Sequence, residues 1–175
     1  MDLEKTRTRL HRISGLNGWS IAVVAGLATV ISVVSLSLKG TLVGIGITGA
    51  GFCEVWGCKF LDNDLDEARK WLLFSQFLFF IVIVTYSVYQ LAVFDAAHPL
   101  SMFSSDFRES LLALVGPDQE LLNQLMTKIY RTTYTAIIIL SFLYQGILFW
   151  YYNRSTKRLM QETPGFQVKA RHSSF

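Results

Sequence analysis

The chain has 175 residues, of which 51% are hydrophobic, 14% aromatic and 17% charged, and its formal net charge at pH 7 is +3. So small a charged fraction, against roughly 25% in typical soluble domains, excludes an ordinary water-soluble globule of this size. Charges concentrate at 2–12, 59–70, 106–131 and 154–171 with long apolar runs between, the pattern of a chain that crosses a membrane several times.

The first element follows a basic lead, "KTRTRLHR", and covers residues 19–38, twenty residues without a charge. At ~1.5 Å per residue a helix of that length reaches roughly 30 Å, the thickness of a hydrocarbon core. It is too long for the h-region of a signal peptide, about 7–15 residues, and no A-x-A site follows, so it reads as a retained span.

The second span is placed at 41–57 and contains "GIGITGAG", from Gly44 to Gly51. Its start matches G-x-G-x-x-G, but a dinucleotide loop needs a preceding strand and a following βαβ unit. These glycines instead lie inside an apolar run. Small residues let helix backbones approach closely in lipid, so Gly40, Gly44, Gly46, Gly49 and Ala50 are assigned to helix packing. Small on more than one face, this helix is expected to sit centrally. Glu54 is the one ionisable residue within a span. Such residues are rare because a charge in the bilayer is costly. Near the end of its span, Glu54 is expected to reach headgroups, water, Lys59 or Lys70, or to bond Gln76 on the next helix.

The following loop reads "CKFLDNDLDEARKWL". Asp62, Asp64 and Asp66 resemble the start of a calcium loop, but Glu67 occupies its sixth position and Leu73 its twelfth, where Gly and Glu belong. Asp64 and Glu67 fit a capping box instead. Cys53 and Cys58 form neither a disulfide framework nor a metal motif. No cofactor and no metal is expected.

Span three is placed at 71–94 and span four at 132–152. Ser75, Gln76 and Gln90 on the third, with Gln145 on the fourth, join Glu54 as a candidate polar cluster. Between the two spans, residues 95–131 are read as a helical, amphipathic linker outside the cytoplasm. His98-Pro99 breaks the chain there, and Asp106–Glu109 suggests a helix start. Pro117 opens a second helix whose apolar stripe leads toward span four. Residues 159–175 form a flexible cytoplasmic tail, leaving 1–158 as one four-span domain.

Orientation follows from lysine and arginine. With the N-terminus in the cytoplasm, that side holds 12 of the 16 basic residues and the other side holds Lys39, Arg108, Lys128 and Arg131. Trp19, Trp56, Trp71 and Trp150 all fall at the same predicted interface, where amphipathic rings anchor. Both termini are therefore expected inside, and the sequon at Asn153 then faces the cytoplasm and stays unmodified.

The stretch "GFCEVWGCKFLDNDLDEARKWLLFSQ" resembles a family of small bacterial four-span integral membrane proteins of unassigned activity. The resemblance rests on the glycine-rich span, Glu54, an aromatic, a basic loop and "WLxxSQ", and extends over roughly residues 18–90. It implies a bacterial inner membrane and singles out Glu54, Trp71, Ser75 and Gln76 as a unit.

The fold class expected is all-α, a four-helix transmembrane bundle with a helical extracytoplasmic linker. No nucleophile–base pair, metal cluster or phosphate cradle is recognisable, so no enzyme is expected. The leading reading is a protein that acts through helix packing with itself or a membrane partner. The alternative is a small oligomeric transporter or channel with a polar path including Glu54. Expected partners are the lipid bilayer and either a second copy or another membrane protein, not nucleic acid.

Overall fold

A computed structural model describes residues 3–94, 105–115 and 119–162. They form five helices: α1 (Leu3–Val34), α2 (Leu38–Phe60), α3 (Leu65–Val93), α4 (Ser105–Val115) and α5 (Gln119–Glu162). No strand occurs among the described residues. Four helices, α1, α2, α3 and α5, are long and apolar enough to cross a membrane.

The helices outrun the apolar runs that reveal them. The 32 residues of α1 reach about 48 Å and the 44 residues of α5 about 66 Å at ~1.5 Å per residue. The basic lead is therefore part of α1, and the apolar stripe before span four is the first part of α5. The helix also continues through Glu162. His98, Pro99, Pro117 and residues 163–175 lie outside the described residues.

The α1–α2 turn closes with paired bonds. The Ser37 amide donates to the Ser32 carbonyl at 2.8 Å and the Leu36 amide to the Val33 carbonyl at 3.0 Å. This is the Schellman pattern, which puts the residue after the helix in the left-handed region, usually as glycine. Here that residue is Leu36, with φ 53°. Ser37 then caps α2 by accepting from the Gly40 amide at 3.3 Å. At the start of α3, Asp64 Oδ1 accepts from the amides of Asp66 and Glu67 at 3.0 and 3.1 Å. The reciprocal arm of the expected capping box is absent, because Glu67 pairs with Lys70 at 2.7 Å.

Contacts divide the chain into two units, one of Met1–Ile83 with Ser141–Phe175 and one of Val84–Leu140. The boundaries fall within α3 and α5. In the first unit, α1, α2, the first part of α3 and the last part of α5 pack side by side. Glycines on α2 set two interfaces. Gly40 and Gly44 lie against Ser32 and Thr29 of α1, and Gly51 crosses α1 at Gly18 and Ala22. Gly46 and Gly57 lie against Val82 and Leu72 of α3. These two are eleven residues apart, close to three full turns, so they share a face. α2 is thereby held between two antiparallel neighbours. The apolar core of this unit gathers Leu10, Cys58, Leu61, Leu65, Ala68, Leu72, Tyr152 and Leu159. Arg7 pairs with Asp62 at 2.7 Å, and Arg69 donates to Asn153 at 3.0 Å.

Beside that apolar core the first unit also buries polar side chains, and much of its outer surface is apolar. Ser14, Glu54, Ser75, Gln76, Gln145 and Thr156 are buried, while Val24, Ile31, Phe142 and Ile147 are exposed. A soluble domain covers its outer surface with polar side chains instead. A bilayer rewards this arrangement, since lipid accepts apolar side chains and offers polar groups no hydrogen bonds.

The second unit contains an aromatic stack. Phe94 and Tyr130 lie with centroids 4.2 Å apart at 17°, and Tyr130 is 4.7 Å from Tyr134. Gln90 is threaded through it, donating to the Tyr86 hydroxyl at 2.6 Å and accepting from the Tyr130 hydroxyl at 3.1 Å.

Candidate functional site

The candidate site grows from the α1–α2 hairpin. With its turn centred near residue 36, antiparallel pairing brings residue 54 opposite residues 17 and 18. Gly18 has no side chain to hold the helices apart, and a Cβ there would meet the Val55 amide nitrogen at 2.9 Å. The close crossing lets Asn17 reach across. Its Nδ2 donates to both carboxylate oxygens of Glu54, each at 2.9 Å. From α5, the fully buried Tyr152 donates its hydroxyl to Glu54 Oε1. From α3, the Gln76 amide faces the same carboxylate. All four helices of the unit thus meet at one side chain.

Glu54 is 1% exposed. It bonds neither Lys59 nor Lys70 among the described contacts, and its partners are neutral hydrogen-bond donors. Carboxylates accept such bonds strongly, and each contributes more than a bond between neutral groups. Asn17 is itself anchored, because its Oδ1 accepts from the Tyr144 hydroxyl at 2.7 Å. An ordered chain therefore runs from Tyr144 through Asn17 to Glu54. Below Glu54, Ser75 donates to the Leu72 carbonyl at 2.9 Å and accepts from Gln76 Nε2 at 3.1 Å.

Of the five residues read from sequence as a polar cluster, Glu54, Ser75 and Gln76 are in contact or adjacent within the first unit. Gln145 is buried in that unit and lines a separate pocket beside Gln76. Gln90 belongs to the second unit, bonded to Tyr86 and Tyr130. Asn17, Tyr144 and Tyr152 were not among the sequence candidates. Asn17 sits just before the charge-free run and carries no charge, and the tyrosines look like interface aromatics. The signal that finds Asn17 is the hairpin symmetry about the turn.

Of the five small residues assigned to packing, Gly40, Gly44 and Gly46 face neighbouring helices, and Ala50 is buried. Gly49 adjoins open space, with nothing within 4 Å of an added Cβ. The closest approaches to a neighbouring helix backbone belong to Gly18, Gly51 and Gly57. Among the tryptophans, Trp56 stacks on Trp71 at 6.0 Å. Trp19 meets Phe52 edge-on at 6.4 Å. Trp150 lies 5.1 Å from the Arg154 guanidinium.

Among the described residues no group of three His, Cys, Asp or Glu side chains is placed to hold a metal ion. No family model, curated protein or solved structure matches the chain.

Proposed function

We propose that this chain is a non-enzymatic, four-span integral membrane protein that acts by packing its helices with a membrane partner or a second copy, and that Glu54 fastens the helices together. The observation that carries this reading is the seal on Glu54. A carboxylate on an ion or proton path has to meet water or a mobile charge, whereas this one is enclosed by Asn17, Tyr152 and Gln76. An amide also separates Tyr144 from Glu54, and an Asn side chain does not readily pass protons on. The apolar exterior supports the bilayer as solvent.

The proposed orientation puts both termini in the cytoplasm. It is supported by the 12 basic residues that would then lie inside. The bacterial inner membrane follows from the sequence resemblance alone. A C-terminal green fluorescent protein fusion is expected to fluoresce in cells, as it does only on the cytoplasmic side.

The decisive experiment is reconstitution in liposomes loaded with pH- and potassium-sensitive dyes. The expected result is flux no greater than in protein-free vesicles, with a discrete product when a photo-crosslinker placed at exposed Ile45 is activated in native membranes. Flux that disappears in Glu54→Gln overturns the proposal and makes the cluster a conduction site.

A further inference from the structure

The outer face of α5 changes character along its length in the first unit. Leu143, Ile147, Trp150, Arg154 and Lys157 follow one another at alternating steps of four and three residues. At 3.6 residues per turn such steps keep them on one side of the helix. All five are exposed, while Gln145, Tyr152, Thr156 and Leu159 are buried on the side turned to the bundle. The exposed stripe starts apolar, passes through an indole and ends in two cations. Neither Arg154 nor Lys157 is paired with a carboxylate among the described residues, and Glu162, on the same helix, is taken by Arg158 at 2.9 Å. The Arg154 guanidinium lies over the Trp150 ring, 5.1 Å from its centroid. Such a contact holds the cation beside the indole and leaves most of its N–H groups for an acceptor such as phosphate.

Length and charge narrow the occupant. From Leu143 to Lys157 the helix rises about 21 Å. One leaflet with its headgroups is roughly 20–22 Å thick, half of a whole bilayer. The stripe therefore has the length of one lipid, with its indole at the depth where aromatic side chains anchor and its cations at the depth of the phosphates. A second copy does not fit this face. A two-fold axis along the bilayer normal would set Arg154 and Lys157 against their own images, with no acid on the stripe between them, and like charges so placed repel. A zwitterionic headgroup would bring a further cation to the same place. An anionic headgroup brings the missing counter-charge.

We infer that this stripe binds an anionic phospholipid, its phosphate held by Arg154 and Lys157, its glycerol region beside Trp150 and one chain along Ile147 and Leu143. The inference rests on the bilayer-spanning arrangement proposed above, and on no particular packing partner.

The test uses the full-length protein in phosphatidylcholine vesicles, into which phosphatidylglycerol or phosphatidylcholine with brominated chains is titrated. Bromine quenches a tryptophan only at close range, and the Trp150 signal is the difference from Trp150→Phe. The dependence of quenching on lipid fraction gives the relative affinity of the two lipids. A preference for phosphatidylglycerol of at least about fivefold is expected, the contribution of one cation beside an anionic headgroup. Arg154→Gln with Lys157→Gln is expected to bring the two lipids to equality. Lys5→Gln with Arg9→Gln removes the same charge from exposed positions near the start of α1 and is expected to keep the preference. Equal quenching by the two lipids with both cations in place overturns the proposal. So does an equal loss of preference in the two double variants, which would make it a general attraction of the basic end and not a site on α5. Quenching by neither lipid overturns the spanning arrangement itself. The comparison of the two lipids leaves both cations untouched, so it decides the matter even if a double variant folds poorly.

Discussion

Replacing Gly51 by Ala tests how the bundle is held together. The added Cβ would lie 2.7 Å from the Ala22 nitrogen, 2.9 Å from the Gly18 oxygen and 3.0 Å from the Ala22 Cα. Ordinary contacts between such atoms are about 3.5–4.0 Å. All three obstacles are backbone, so no side-chain rotation relieves them, and α1 and α2 must part by roughly 0.5–1 Å. A gap of that size forfeits a quarter to a half of each dispersion contact along the crossing. Overpacking of this kind costs typically ~1–3 kcal/mol. Alanine's better helix propensity returns ~1 kcal/mol, for a net loss of up to about 2 kcal/mol. Gly49, two residues earlier on the same helix, is the internal control. Nothing lies within 4 Å of its added Cβ, so Gly49→Ala keeps the propensity gain without the clash. Both variants can be unfolded with SDS in mixed micelles and followed by circular dichroism. Gly51→Ala is expected to shift the midpoint down and Gly49→Ala to leave it unchanged or raise it. Equal losses in the two variants would refute the assignment of the α1–α2 contact to backbone approach at Gly51.

The same titration tests two other features. Tyr152→Phe removes a buried hydroxyl from Glu54 and is expected to cost about 1.5–3 kcal/mol, whereas Tyr144→Phe, which frees only the exposed end of the chain through Asn17, should cost about 0.6 kcal/mol; the reverse order would mean that Asn17, not Glu54, carries the junction. Leu36→Gly relieves a left-handed residue that is 92% exposed. It is expected to raise stability by up to about 1 kcal/mol, and a clear loss would show that the Leu36 side chain contributes contacts of its own.

The four apolar helices were legible because the hydrophobic run, the bilayer thickness and the helix rise are linked by simple arithmetic. Helix ends were less legible. Residues 3–18 and 119–131 are polar or amphipathic, so hydropathy misses them, yet hydrogen bonding carries α1 and α5 through them. Small residues marked α2 as a packing helix, but a glycine's neighbour is a tertiary fact. Gly49 and Gly51 look alike in sequence, and only the rotation of α2 decides that one meets Ala22 and the other meets open space. Glu54 stood out by its charge. Its partners did not, because Asn17 and Tyr152 are ordinary residues until the hairpin register and the docking of α5 bring them together.

The order in which the partners of Glu54 leave the ribosome matters for biogenesis. Asn17 is synthesised before Glu54, but Tyr152 follows it by 98 residues. At about 5–20 residues per second, the nascent hairpin waits on the order of 5–20 seconds for its last hydroxyl. During that interval the acid is only half clothed, and a product halted before the final helix never completes it. In such a truncated chain the Glu54 carboxylate lacks the hydroxyl that closes over it in the complete bundle.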